Sequence, residues 1–207
     1  MKYTWIILIS LFGSSCAVGN KYDYRSTAMA LPVKPVDNKI LILSVQDFRP
    51  YVLNGDKDPS FVGLQRGGYG NPFDVTTLSG RPMTEDMAEA MVKGLADVGY
   101  RVNYVSGKPE MAKLIDAAAQ NQANRIVVLK VYDWKSDIYM GITLHCDLRL
   151  SAYNSSGDLV AESNASFVQE VGGGLIGSSK NSQFLADEFA KRIGYLFNKD
   201  ELRNALR

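Results

Sequence analysis

Apolar residues fill Trp5 to Ile9 and continue through Leu11 and Phe12, behind a single positive charge at Lys2. The run is too short to span a bilayer, which takes roughly 20 apolar residues, and polar or small residues replace it from Gly13 to Ser15 and again at Asn20 and Lys21. A charged start, a short apolar stretch and small residues form the pattern of an export signal, read here over residues 1–15. Residues 16–38 show no sustained periodicity and contain Pro32 and Pro35. They predict an extended tether ahead of a single domain covering residues 39–207.

Within that domain, Ile40 to Phe48 is a nearly continuous apolar run ended by Arg49-Pro50. It predicts a buried, central strand. Residues 51–82 are rich in Gly, Pro, Asn and Asp, and a connection of that length without structure of its own is usually functional. Position therefore nominates it as an interaction site, with Tyr51, Tyr69 and Phe73 as its contact residues. Gly67-Gly68-Tyr69-Gly70-Asn71-Pro72-Phe73 is not a phosphate-cradling loop, because Phe73 stands where the third glycine belongs and no strand leads through it into a helix. A glycine-supported turn presenting Tyr69 and Phe73 is the reading.

Thr84 is expected to cap a helix with Glu85 and Asp86 in its first turn and Met87, Ala90, Met91, Leu95 and Val98 on one face. Gly99 ends it, Arg101 to Val105 alternates as a strand, and a second helix starts with Pro109 at its first position and turns Met111, Leu114, Ile115 and Ala118 inward. Three strands follow, near residues 125–135, 141–153 and 158–170, the last two joined by a turn at Asn154 to Asp158. A glycine-rich connection over 172–179 precedes a helix capped by Ser182, with Leu185, Phe189, Ile193 and Leu196 inward, and a short helical turn from Asp200 to Leu206. The order β-α-β-α-β-β-β-α predicts an α+β fold, a mixed sheet with a C-terminal antiparallel meander covered by helices.

Charge narrows the function classes. The whole chain carries 23 basic and 22 acidic residues, and residues 1–15 hold one of the former and none of the latter. A chain so close to neutral offers no basic footprint for nucleic acid. The lone histidine, His145, neighbours Cys146 in a strictly alternating strand, so the two side chains point to opposite faces and cannot share one ligand geometry. Cys146 joins Ile142, Leu144, Leu148 and Leu150 as a small core hydrophobe. These patterns give no catalytic set, metal site or cofactor. Asp47, Asp74, Asp133 and Asp137 are the carboxylates that remain for acid–base work, and aspartates bordering loops are more often turn formers.

Gly13-Ser14-Ser15-Cys16 resembles the lipobox of bacterial lipoproteins, in which small residues precede a cysteine that is acylated and becomes the mature N-terminus. Gly13 stands where that pattern usually carries an aliphatic residue. The alternative is an ordinary secretory signal with an incidental cysteine. The resemblance implies attachment to a membrane through acyl chains on Cys16, and Ala17 after the cysteine implies the periplasmic face of the outer membrane. Further along, the helix from Thr84 to Val98, the phrase Gly99-Tyr100-Arg101-Val102, the strand from Arg125 to Tyr132, and the meander ending in an amphipathic helix resemble the YajG-like group of small lipoproteins. The same order is similar to the N-terminal domain of TolB and to the curli-secretion lipoprotein. That resemblance implies a periplasm-facing accessory protein of the cell envelope, working through an envelope protein partner. A binding module for a small envelope glycan or lipid, using Tyr51, Tyr69 and Phe73 as apolar platforms, is the alternative, and an enzyme is the third reading.

Overall fold

The structure is a computed structural model and describes residues 20–37, 39–172 and 180–207. The first half contains β1 (Lys21–Tyr22), β2 (Ile40–Asp47), α1 (Pro50–Leu53), β3 (Phe61–Arg66), β4 (Pro72–Thr77), α2 (Met83–Asp97) and β5 (Arg101–Tyr104). The second contains α3 (Met111–Asn121), β6 (Arg125–Ile138), β7 (Ile142–Tyr153), β8 (Leu159–Gly172), α4 (Lys180–Phe197) and α5 (Asp200–Leu206). The α+β class, the central strand and the antiparallel meander stand as the pattern predicts.

Strand β6 organises the sheet. Along one edge it pairs antiparallel with β7 from Ile126 to Ile138, and β7 pairs in turn with β8. Its other edge is divided: β2 runs parallel to residues 125–131, and β3 runs parallel to residues 136–138. Beyond β2 lies β5, and beyond β3 lie β4 and β1. Residues such as Leu41, Ile42 and Leu43 are fully buried because β2 has a strand on each side and helices on both faces. A parallel strand covered on both faces reads as a continuous apolar run, as this one does.

The main core lies on one face, under α2, α4 and α5, and a smaller cluster under α3 lies on the other with Ile42, Leu114, Ala118, Ile126 and Val128. In α4, Leu185, Phe189, Ile193 and Leu196 are all fully buried, as their three- and four-residue spacing requires.

Several expectations are corrected. The stretch expected to be an extended tether is docked from Lys21 onward: β1 pairs with β4, and Tyr22, Tyr24, Met29, Leu31 and Val33 are buried in the main core. Residues 51–82 are structured too, because β3 and β4 form an antiparallel hairpin turning at residues 67–71. Helix α2 starts at Met83 with Pro82 as its cap, and Thr84 lies within its first turn. There the buried Asp86 carboxylate accepts from the Ser79 hydroxyl and from Arg81. Helix α3 starts at Met111, since the Pro109 carbonyl accepts from the Gln46 amide. Ser182 is inside α4, where its hydroxyl accepts from the Asp23 backbone N–H at 3.3 Å. The described residues form five helices where the pattern predicted three and a helical turn. The signal segment, Cys16 and the glycine-rich connection over 173–179 lie outside the described residues.

Candidate contact surface

Helix α3 covers only the end of the sheet where β5, β2 and the first half of β6 lie, and the rest of that face carries polar and aromatic side chains. A bulge sets which ones. Up to Val131, odd-numbered residues of β6 face the main core; the register then shifts between Val131 and Asp133, so that Trp134 turns inward and Asp133 and Lys135 turn outward. On β7 the alternation is unbroken, and His145, Asp147 and Arg149 share this outer face.

The Asp133 carboxylate collects three neighbours. The Tyr51 hydroxyl donates to its Oδ1 at 2.9 Å, and Lys135 Nζ and His145 Nδ1 each stand 3.8 Å from its Oδ2. Burial, reinforced by the adjacent Asp133 charge, pushes the Tyr51 hydroxyl above its ordinary range, so it acts as a fixed donor. Cys146 takes no part: it lies on the core face, its thiol donating to the Ala165 carbonyl at 3.6 Å, and burial pushes it up to about 12. The thiol is therefore protonated and inert at neutral pH. Among the described residues no three His, Cys, Asp or Glu side chains are grouped to hold a metal ion.

Around this cluster, cations sit over aromatic rings. Lys135 lies 4.9 Å from the centre of the Tyr51 ring, Lys57 lies 5.0 Å from that of Phe61, and Arg149 lies 5.6 Å from that of Tyr132. Phe48 carries two, Lys108 at 3.7 Å and Lys130 at 5.4 Å, and its own ring packs 5.4 Å from Tyr132. Cation–aromatic pairing of this kind holds long side chains against the sheet and makes a surface that is apolar beneath and positive above.

The three contact residues nominated from position fall in different surroundings. Tyr51, on α1, is held by Asp133 and packs edge-on against Phe61 at 5.6 Å. Tyr69 is fully exposed at the tip of the β3–β4 hairpin. Phe73, on β4, is half-buried, its ring lying against Gly67 across the turn. The structure thus joins Tyr69 and Phe73 on one hairpin but does not gather all three into one pocket.

Each of the four aspartates considered for acid–base work has a cationic partner: Asp47 with Arg49, Asp74 with Lys57, Asp133 with Lys135 and His145, and Asp137 with Arg66. The Arg66 guanidinium grips Asp137 with two nitrogens, at 2.9 and 2.6 Å. Phe48, Tyr132, Lys108 and Lys130 were not nominated from the sequence. The signal lay in the break of alternation at Tyr132-Asp133, where two polar-tipped residues stand side by side in an otherwise alternating strand.

Among solved structures, the fold is similar to protein XCC0632 from Xanthomonas campestris, with 13% identity and a TM-score of 0.49, covering 81% of this chain and 89% of that one. It is also similar to the PelC dodecamer subunit from Paraburkholderia phytofirmans, with 13% identity and a TM-score of 0.44 over 86% and 94% of the two chains. A third is lipoprotein GNA1162 from Neisseria meningitidis, with 12% identity and a TM-score of 0.39 over 77% and 99%. Likenesses at this level mark neither a shared family nor a shared activity. No protein-family model and no curated protein matches the chain.

Proposed function

We propose that this chain is a lipid-anchored protein of the bacterial cell envelope, attached through acyl chains on Cys16 and acting through contacts with an envelope protein rather than through catalysis. The observation that carries the reading is the run of Trp5 to Phe12 followed by Gly13-Ser14-Ser15-Cys16. An apolar stretch too short to span, ending in small residues and a cysteine, fits acylation, and two or more acyl chains anchor a protein stably where one does not. Anchoring at the periplasmic face of the outer membrane follows from Ala17, and the element order supports a YajG-like lipoprotein. Among the described residues no helix is long and apolar enough to cross a membrane.

The contact surface on this reading comprises the exposed tip at Tyr69, with Phe73 behind it, and the outer sheet face beside Tyr51. Mass spectrometry of the mature N-terminus tests the anchor: an acylated Cys16 is expected, and Cys16→Ser should release the protein from the membrane fraction. An unmodified terminus elsewhere would overturn it. Crosslinking in intact envelopes followed by capture of the tagged chain tests the second half, with a stoichiometric protein partner expected, and its loss expected in Tyr69→Ala or Phe73→Ala. Absence of any crosslinked partner would overturn the assembly role while leaving the anchor standing.

A further inference from the structure

Beside the outer face, between the start of α3 and the sheet, lies a cavity of about 320 Å³. Phe48, Tyr153, Val128 and Leu114 supply apolar wall, and Lys108, Lys130 and Gln46 supply the polar groups. A volume of this order with mostly apolar walls and a few convergent polar groups is that of a small-molecule site.

Its charge is unbalanced. Lys108 and Lys130 are both held over the same Phe48 ring, at 3.7 and 5.4 Å from its centre. Their ammonium groups therefore lie within about one Debye length, ~10 Å, of each other. Among the described residues neither lysine has a carboxylate within ion-pair distance. Glu110 also lines the cavity, and among the described residues it forms an ion pair with neither lysine. Two like charges converging on one ring without a counter-ion repel each other, and a bound anion would relieve that repulsion.

The floor is fixed. Gln46 is only 4% exposed, and its amide donates to the Pro109 carbonyl at 3.1 Å and to the Ser44 hydroxyl at 3.3 Å. This clamps the segment that carries Lys108 to the strand that carries Gln46, so both lysines are presented from a rigid frame. The first turn of α3 forms the opposite wall without a side-chain cap.

We infer that this cavity binds a small acidic ligand, a carboxylate or phosphate on a flat apolar body. The anion lies between Lys108 and Lys130, and the apolar part lies against Phe48 and Tyr153. The inference is independent of the lipid anchor and of the hairpin contacts.

Calorimetric titration of the full chain in neutral detergent tests it, with phenyl phosphate as the probe and inorganic phosphate and benzyl alcohol as its two halves. Phenyl phosphate should bind at least about tenfold more tightly than either half, and Lys108→Gln and Lys130→Gln should each weaken it by about tenfold. Lys130→Arg, which keeps the charge, should restore most of the affinity. Phenyl phosphate that binds no better than benzyl alcohol, or that binds the Lys108→Gln/Lys130→Gln double variant as tightly as the parent, would overturn the inference. Both lysines reach solvent, so the variants should fold, and an unchanged melting temperature confirms that the loss is one of binding.

Discussion

The indole N–H of Trp134 donates to the hydroxyl of Tyr24 at 3.1 Å, with both side chains fully buried. The ring of Phe189 packs edge-on against each of them, at 5.7 Å from Tyr24 and 5.6 Å from Trp134. This contact makes residues 22–33 part of the core, although they precede the central strand and carry no helix. It follows that Tyr24→Phe, which orphans a buried N–H, should cost about 1–3 kcal/mol, and Trp134→Ala about 3–5 kcal/mol. Denaturant unfolding followed by far-UV circular dichroism measures both. A separate early transition of the N-terminal segment, leaving the rest folded, would contradict its place in the core.

Gly94 keeps that segment close to α2. A β-carbon at this position would lie 2.8 Å from Met29 Cβ, an atom that cannot move without its backbone. Gly94→Ala should therefore lose stability, against the gain of up to about 1 kcal/mol that alanine normally gives over glycine inside a helix. Amide exchange should quicken at Thr27, whose N–H donates to the Tyr24 carbonyl at 3.3 Å, while α2 keeps its protection.

Arg49 is fully buried, yet it is satisfied: Nε and Nη2 meet the two oxygens of Asp47 at 2.9 and 2.7 Å, while Nη1 and Nη2 also reach the carbonyls of Phe61 and Pro59 at 2.5 and 3.0 Å. One side chain so ties the end of β2 to the start of the hairpin. Removing the side chain leaves Asp47 with only the residue-49 backbone N–H and no charge partner, and leaves two carbonyls without their donor, so Arg49→Ala should cost about 3–5 kcal/mol. Arg49→Lys should recover little of it, because an ammonium cannot reproduce the planar fork. Chemical denaturation of the two variants gives the comparison.

What the sequence made legible follows from periodicity. Strand β2, the stripe of α2, the meander and the inward face of α4 each repeat over eight or more residues, long enough for one face to be identified. The docked N-terminal segment does have a two-residue alternation, at Met29, Leu31 and Val33, but it spans five residues and is interrupted at Pro32 by a residue that reads as linker. The β3–β4 hairpin was hidden by Gly63, Pro72 and the glycines of its turn, each of which weakens a strand reading. Its strands are stabilised by tertiary pairing with β6 and β1, which no local pattern reports. The outer-face residues were not nominated for a third reason: after the bulge between Val131 and Asp133, strict alternation would place Asp133 and Trp134 on the wrong sides.

Cys146 offers a chemical test of the core. Its thiol is pushed up to about 12 from 9.0 by burial, so the folded state holds its proton where the unfolded chain releases it. The unfolded state then binds fewer protons between about pH 9 and 12, and stability from this group falls as pH rises through that window and is fully present below it. Native protein should resist iodoacetamide at pH 8, and labelling should appear only along the unfolding transition. Rapid labelling of the folded protein would show that β7 and β8 open locally.

Formation of the hairpin and its docking on β6 are separable at Gly63. Gly63 on β3 faces Ser136 on β6 so closely that a β-carbon would lie 2.5 Å from the Ser136 carbonyl oxygen and 2.9 Å from its backbone nitrogen. These atoms belong to the strand that organises the sheet, so the yielding element must be β3. The β3–β4 ladder depends on different contacts, from Phe61 opposite Thr76 to Arg66 opposite Pro72, and the turn is closed by the Gly67 N–H on the Asn71 carbonyl at 2.9 Å. Gly63→Ala should therefore break the short parallel pairing of residues 63–65 with 136–138 and leave the hairpin itself paired. Amide exchange would report faster exchange within residues 63–65 and 136–138 with Gly67 still protected. Since Arg66 also grips Asp137 from the same hairpin, the variant should shift the Tyr69 tip relative to Tyr51, and any partner that needs both should bind more weakly. Loss of protection throughout residues 61–77 would instead mean that the hairpin exists only while it is docked on β6.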